Sequence, residues 1–102
     1  MNDSSQSNDL YILHLNGKIA NHAQHYVGYT TLGVDARVKR HRSGDGSKMI
    51  AHALRIGLDF EVGHVEHFAT PEEARWREIR LKREKNLARH CEICKEYNGK
   101  AS

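Results

Sequence analysis

The sequence has only two cysteines, no long apolar run and no apolar segment at its start. Two cysteines are too few for the disulfide framework that stabilises small secreted domains. No stretch approaches the roughly 18 consecutive apolar residues that a transmembrane helix requires. The first residues are polar and uncharged or acidic, which is unlike a signal peptide. We therefore expect a cytoplasmic protein with no membrane partner.

The chain is also short and modestly apolar. Its 102 residues suffice for one domain, and a hydrophobic content of 38% predicts a small core and a shallow cleft. The net charge is +3 with histidine neutral, and 28% of the residues are charged. A basic surface favours a polyanion such as nucleic acid, although many proteins with other partners carry a charge of this size.

The hydrophobic pattern predicts an α+β fold, a small three-stranded antiparallel sheet flanked by helices. Strands are expected at 10–15, 25–30 and 60–68, and Asn16-Gly17 reads as a turn after the first strand. Residues 20–23 are assigned to a long connection between the first two strands. Helices are expected at 34–42, after Ser47, and from Pro71 to about Glu84.

The predicted helix that begins at Pro71 has the clearest N-terminal boundary. Thr70 and Glu73 form a capping-box pattern, with Pro71 at the first helical position. Trp76 is expected in the core. We predict a disordered arm at 1–8, a folded domain at 9–90 and a C-terminal tail at 91–102 that carries Cys91 and Cys94.

Several polar residues occur where strands and helices present them together. Tyr26 is followed at a short interval by Gly28, which allows close approach of backbone or substrate. Arg37 and His41 are four residues apart and share one helix face, separate from the apolar face of Val34 and Val38. Glu78 lies four residues after Ala74 and three before Leu81, so its carboxylate is expected to turn inward.

This ordered set resembles the GIY-YIG endonuclease family, over roughly residues 9 to 86. Asp9-Leu10-Tyr11 stands at the first motif and Tyr26-Val27-Gly28 at the second, followed by Arg37 with His41 and then by Glu78. The chain looks most like short standalone members, which are similar to the N-terminal nuclease domain of bacterial excision-repair nucleases. It departs from the pattern at Asp9, where the family has glycine, and at His90, where many members have asparagine; Asn86 is the nearest asparagine.

The resemblance implies a metal-dependent endonuclease that hydrolyses phosphodiester bonds in DNA with one metal ion. The implied catalytic residues are Tyr11, Tyr26, Arg37, His41 and Glu78. Glu78 would hold Mg²⁺ or Mn²⁺, since a carboxylate suits a hard cation. Tyr11 is expected to activate water and Tyr26 to position it, with exchange of these roles left open. Phosphate contacts are expected from Arg37, Arg40 and Lys82.

Two other functions stay open. One is a nucleic-acid-binding module without catalysis, in which Glu78 would pair with Arg75 or Lys82 on its own helix. The other is a zinc-stabilised interaction domain, because Cys91 and Cys94 have the spacing of half a zinc site. Their partners would be His64 and His67, or His90 and a second histidine, but free thiols are favoured. RNA is not excluded as substrate, and the chain is expected to be a monomer or weak homodimer.

Overall fold

The computed structural model describes residues 7–19 and 23–101. Strand β1 (Asn8–Ile19) and strand β2 (Ala23–Thr30) are followed by helices α1 (Val34–Arg42) and α2 (Lys48–Arg55). Strand β3 (Phe60–Phe68) leads into helix α3 (Pro71–Glu84), a short 3-10 helix (Leu87–His90) and helix α4 (Glu92–Ala101). Among the described helices, none combines the length and the apolar character needed to cross a membrane.

The three strands form one antiparallel sheet in the order β2-β1-β3, which confirms the predicted α+β fold. Because successive side chains on a strand point to opposite faces, the central strand β1 supplies two separate cores. Tyr11, Leu13 and Leu15 pack with Ile50 and Ala53 of α2.

The other face of β1 packs against α3. Leu10 and Ile12 are buried there with Val27 of β2 and Leu81 of α3. Full burial of a leucine such as Leu81 contributes roughly 1.5–3 kcal/mol, so this side chain is a main anchor of α3 on the sheet. Arg77 adds a paired contact, donating from Nε and an Nη to the two carboxylate oxygens of Glu66 on β3 at 2.9 and 3.1 Å.

Local sequence signals set the helix boundaries as predicted. The Ser47 side chain accepts from the backbone N–H groups of Met49 and Ile50 at the start of α2. The Thr70 hydroxyl accepts from the Glu73 N–H, and the Glu73 carboxylate accepts in return from the Thr70 N–H, each at 3.2 Å. The capping box at the start of α3 is therefore confirmed.

Two predictions about single residues were wrong. Asn16-Gly17 is not a turn, because β1 continues to Ile19. The Asn16 side-chain oxygen accepts from the backbone N–H of Asp59, and the backbone N–H of Asn16 donates to the Asp59 carbonyl. These two hydrogen bonds hold Asn16 in an extended conformation. Trp76, expected in the core, is 66% exposed. Its position on α3 lies outside the face that carries Ala74 and Leu81.

Regular secondary structure extends into both the predicted arm and the predicted tail. Residues 1–6 of the predicted disordered arm lie outside the described residues, while Asn8 already belongs to β1. Residues 20–22 of the predicted connection also lie outside them, and Ile19 pairs with Ala23. The predicted tail contains α4, and Cys91 just before it is fully buried. The domain boundaries themselves stay a prediction.

Candidate active site

Tyr11 lies at the centre of the predicted catalytic group. Its ring is fully buried on β1, and its Oη is 2.9 Å from His41 Nε2 and 3.4 Å from Arg37 Nε. In the sheet Tyr11 stands opposite Gly28 of β2. A Cβ atom at Gly28 would come within 2.6 Å of the Tyr11 hydroxyl and 3.0 Å of the Tyr26 ring. Gly28 therefore leaves the space on β2 that the Tyr11 hydroxyl occupies beside the Tyr26 ring.

His41 is held as a neutral ring with a defined tautomer. Burial, together with the nearby charges of Arg37 and Arg40, lowers its pKa to about 4. Its Nδ1 accepts from the backbone N–H of Ser47 at 3.3 Å. The proton of the neutral ring therefore resides on Nε2, which donates to Tyr11 Oη. Gly46 leaves room for this arrangement, since a Cβ there would lie 2.6 Å from Nδ1.

Tyr26 completes a group of three rings on this side of the sheet. Its ring centroid is 6.3 Å from that of Tyr11 and 5.3 Å from that of His41. Tyr26 is half-buried, whereas Tyr11 and His41 are fully buried. Arg37 approaches from α1, and its pKa is raised first by the hydrogen bond to Tyr11, with Tyr26 contributing in the same direction.

The environment of Tyr11 makes its hydroxyl a weak acid. Burial raises the pKa of Tyr11 to about 12, and the nearby Tyr26 and Glu78 act in the same direction. The Arg37 donor opposes this shift without overcoming it. At neutral pH the phenol therefore keeps its proton. Since the Tyr11 Oη already accepts from His41 and lies beside Arg37, the phenol proton can point away from these two residues.

Glu78 reaches the same region from α3, close enough to Tyr11 for its carboxylate to raise the pKa of the phenol. Its side chain is 15% exposed, as expected for an inward-facing position. One carboxylate oxygen lies 3.5 Å from Lys82 Nζ, so the pairing with Lys82 is present. This ion pair joins a mostly buried carboxylate to an exposed lysine, and such a contact stabilises a fold by only about 0.2–1 kcal/mol.

A cleft of about 530 Å³ opens beside this group, and Tyr26 and Lys82 line it. Lys18 of β1 and Lys85 after α3 bring two more positive charges to its walls, and Asn86 also faces it. Sequence reasoning did not assign Lys18 and Lys85, although Lys85 follows Lys82 at helical spacing. Arg40 is elsewhere on α1 and pairs with Asp45 at 3.6 Å.

The two departures from the family pattern have local explanations. Asp9 is 2% exposed, and its carboxylate accepts from the Ser7 hydroxyl at 2.9 Å and contacts His67 Nδ1 at 2.6 Å. A carboxylate is tolerated at this buried position because it is paired and hydrogen-bonded. His90 Nε2 lies 2.9 Å from a Glu84 oxygen, while Asn86 faces the cleft.

The expected partners of the cysteines were wrong. His64, His67 and His90 contact the carboxylates of Glu66, Asp9 and Glu84. Cys91 and Cys94 instead lie beside His14 and His25, which sequence reasoning missed. Burial raises the pKa of the Cys94 thiol to about 11, and the adjacent Cys91 adds to the shift. The thiol thus lacks the low pKa of a redox-active cysteine.

The neutral state of His41 can be measured directly. Because its folded pKa of about 4 lies below the ordinary value of 6.5, the unfolded chain takes up this proton first as the pH falls. The contribution to stability is complete above pH 6.5 and is lost toward pH 4, and it amounts to about 3 kcal/mol at most. In a ¹⁵N-resolved NMR titration, the His41 ring should stay neutral, protonated at Nε2, from pH 7 to about pH 5. A His41 midpoint near 6.5 would contradict this environment.

Comparison with known proteins places this geometry in a family. The family model described as the GIY-YIG catalytic domain matches residues 10–98, nearly the whole chain. No curated protein and no solved structure gives a significant match. The matched span includes β1, β2, α1 and α3, which carry the residues described above. The chain therefore belongs to the GIY-YIG family of nuclease domains.

Proposed function

We propose that this protein is a metal-dependent endonuclease that hydrolyses phosphodiester bonds in DNA. The proposal rests on one observation: Tyr26, Arg37 and Glu78 lie close together around Tyr11, beside a cleft lined by lysines. These groups come from three different elements, and they supply the functions that phosphodiester hydrolysis needs. A phosphate must be held, a water must be deprotonated, and the developing negative charge must be stabilised.

The residues present fit a hard divalent cation at Glu78. Its carboxylate is mostly buried and supplies oxygen ligands, and within the described part of the chain its ion pair is a 3.5 Å contact with an exposed lysine. Mg²⁺ and Mn²⁺ prefer such oxygen ligands, and Mg²⁺ commonly uses one or two carboxylates, with waters and phosphate oxygens completing its shell. When bound, the cation would polarise the phosphoryl oxygen and stabilise the leaving oxygen. Lys82 can turn to the substrate when a cation takes its place beside Glu78.

The positive groups around the site hold the substrate backbone. Arg37 presents a guanidinium next to the tyrosines, and its planar fork suits phosphate oxygens. Lys18, Lys82 and Lys85 line the adjoining cleft as point charges. No described element enters a groove to read bases, so binding should depend on phosphates and fall steeply with salt.

The environments of the two tyrosines support an exchange of the roles first assigned to them. Tyr11 is fully buried with a pKa of about 12, so its hydroxyl has no access to bulk water and keeps its proton at neutral pH. Tyr26 is half-buried and lines the cleft, beside Arg37. We assign water activation to Tyr26. Tyr11 instead keeps its proton, joins His41 to Arg37 and fixes the position of Tyr26.

Replacement of Glu78 by glutamine tests the metal ligand. Glu78→Gln keeps the size of the side chain but removes the charge that holds the cation, so plasmid nicking should be lost while DNA affinity is kept or increased. Arg37→Ala should lose nicking and also weaken binding, because a phosphate donor is gone. Glu72→Gln, an exposed acid in the first turn of the same helix, is the matched control and should nick at the parent rate.

A folded Glu78→Gln protein that nicks plasmid as fast as the parent would place the cation elsewhere. Binding without cleavage in the parent protein itself would favour the inactive binding module.

Replacement of each tyrosine by phenylalanine separates their roles. Tyr26→Phe should lower the cleavage rate by roughly 10²–10⁴-fold with little change in unfolding free energy, as expected for loss of a general base. Tyr11→Phe leaves the buried Nε2–H of His41 without its acceptor, which should cost about 1–3 kcal/mol in urea denaturation and slow cleavage less. If Tyr26→Phe cleaves at the parent rate while Tyr11→Phe is inactive, the assignment is reversed.

A further inference from the structure

Four side chains that can bind metal meet on the sheet face opposite Tyr11. His14 is on β1, His25 is on β2, and Cys91 and Cys94 flank the start of α4. One ligand atom from each lies within 4.8 Å of the other three. Cys91 is buried, and the other three residues are half-buried. Neither the catalytic group nor the proposed reaction uses any of them.

The distances between these atoms match the edges of a zinc tetrahedron. With Zn–N bonds of about 2.0–2.1 Å and Zn–S bonds of about 2.3 Å, tetrahedral geometry separates two nitrogens by about 3.3 Å and a nitrogen from a sulfur by about 3.5 Å. His14 Nδ1 is 3.2 Å from His25 Nε2. The sulfur atoms of Cys91 and Cys94 are both 3.5 Å from His14 Nδ1, and that of Cys94 is 3.3 Å from His25 Nε2.

The register of β1 with β2 and an unpaired glycine on β3 bring these residues together. His14 and His25 are direct partners in the β1–β2 ladder, so their side chains share one face of the sheet. The β1–β3 register shifts between Ile12 and Leu13, where Gly63 has no pairing partner. A Cβ at Gly63 would lie 2.6 Å from the Cys91 sulfur, so this glycine provides the space in which the thiol sits.

We propose that His14, His25, Cys91 and Cys94 bind a structural zinc ion. Two thiolates and two imidazoles complete a closed four-coordinate shell, which is the donor set and geometry of structural rather than catalytic zinc. Zinc displaces the thiol protons on binding, and the free energy of binding becomes part of the stability of the fold.

The site adds metal–ligand bonds between parts of the domain that are distant in sequence. It connects the central strand, the edge strand and the segment after α3, and its ligands are as much as 80 residues apart along the chain. His25 also lines the basic cleft next to Tyr26. The zinc ion would therefore hold one wall of the cleft while taking no part in hydrolysis. The inference does not depend on the proposed nuclease activity, because its test measures bound metal.

The test measures zinc in the purified full-length protein and in single variants. The parent should contain equimolar zinc by elemental analysis, and Co²⁺ substitution should give the absorption of a tetrahedral site with thiolate ligands. Cys94→Ser and His25→Asn should each lose most of the bound zinc. Removal of zinc by a chelator should lower the parent Tm by on the order of 10 °C.

Two controls make the result specific. His90→Asn changes a histidine that directly precedes Cys91 but contacts Glu84, so it should keep the zinc. Glu78→Gln should keep it as well, since that residue belongs to the other site. A parent protein that binds no zinc when Zn²⁺ is supplied, zinc retained in both ligand variants, zinc lost in Glu78→Gln, or a Cys91–Cys94 disulfide under reducing purification would overturn the proposal. The cobalt spectrum of the parent decides the case if the variants fail to fold.

Discussion

The pairing of β1 with β2 determines which side chains can meet on each face of this small sheet. Tyr11 stands opposite Gly28, and three residues further along β1, on the other face, His14 stands opposite His25. A slip of one residue would turn every side chain of β2 to the opposite face. It would remove the glycine from the Tyr11 hydroxyl and separate the two histidines. The predicted catalytic group and the proposed zinc ligands therefore depend on the same ladder of hydrogen bonds.

Burial and neighbouring charges then give residues of the same type different environments. Tyr11 and Tyr26 are neighbours, yet Tyr11 is fully buried, with a pKa raised to about 12, whereas Tyr26 is half-buried and lines the cleft. Two histidines illustrate the same contrast: His41 is kept neutral by burial and nearby arginines, while His67 is exposed and contacts the carboxylate of Asp9. Burial and neighbouring charges, rather than residue type alone, therefore set the protonation of Tyr11 and His41.

The sequence was sufficient for elements with strong local signals. The bounds of α1 and β3, the capping box of α3 and the antiparallel sheet were all predicted, since caps and alternation act over a few residues. Asn16-Gly17 was misread because a long-range contact with Asp59 extends β1. The partners of Cys91 and Cys94 were missed because they lie on distant strands. Once Tyr11 is aligned with Gly28, however, the register alone places His14 opposite His25, so this signal was present in the sequence.

We expect this GIY-YIG domain to cleave phosphodiester bonds with a cation that is separate from any tightly bound zinc. The most direct measurement is incubation of the purified protein with supercoiled plasmid, with and without added Mg²⁺, while its zinc content is followed. Nicked plasmid should appear only when Mg²⁺ or Mn²⁺ is added, with the zinc content unchanged between the two conditions. Nicking at the same rate without added divalent cation, or no nicking with either cation, would contradict this expectation.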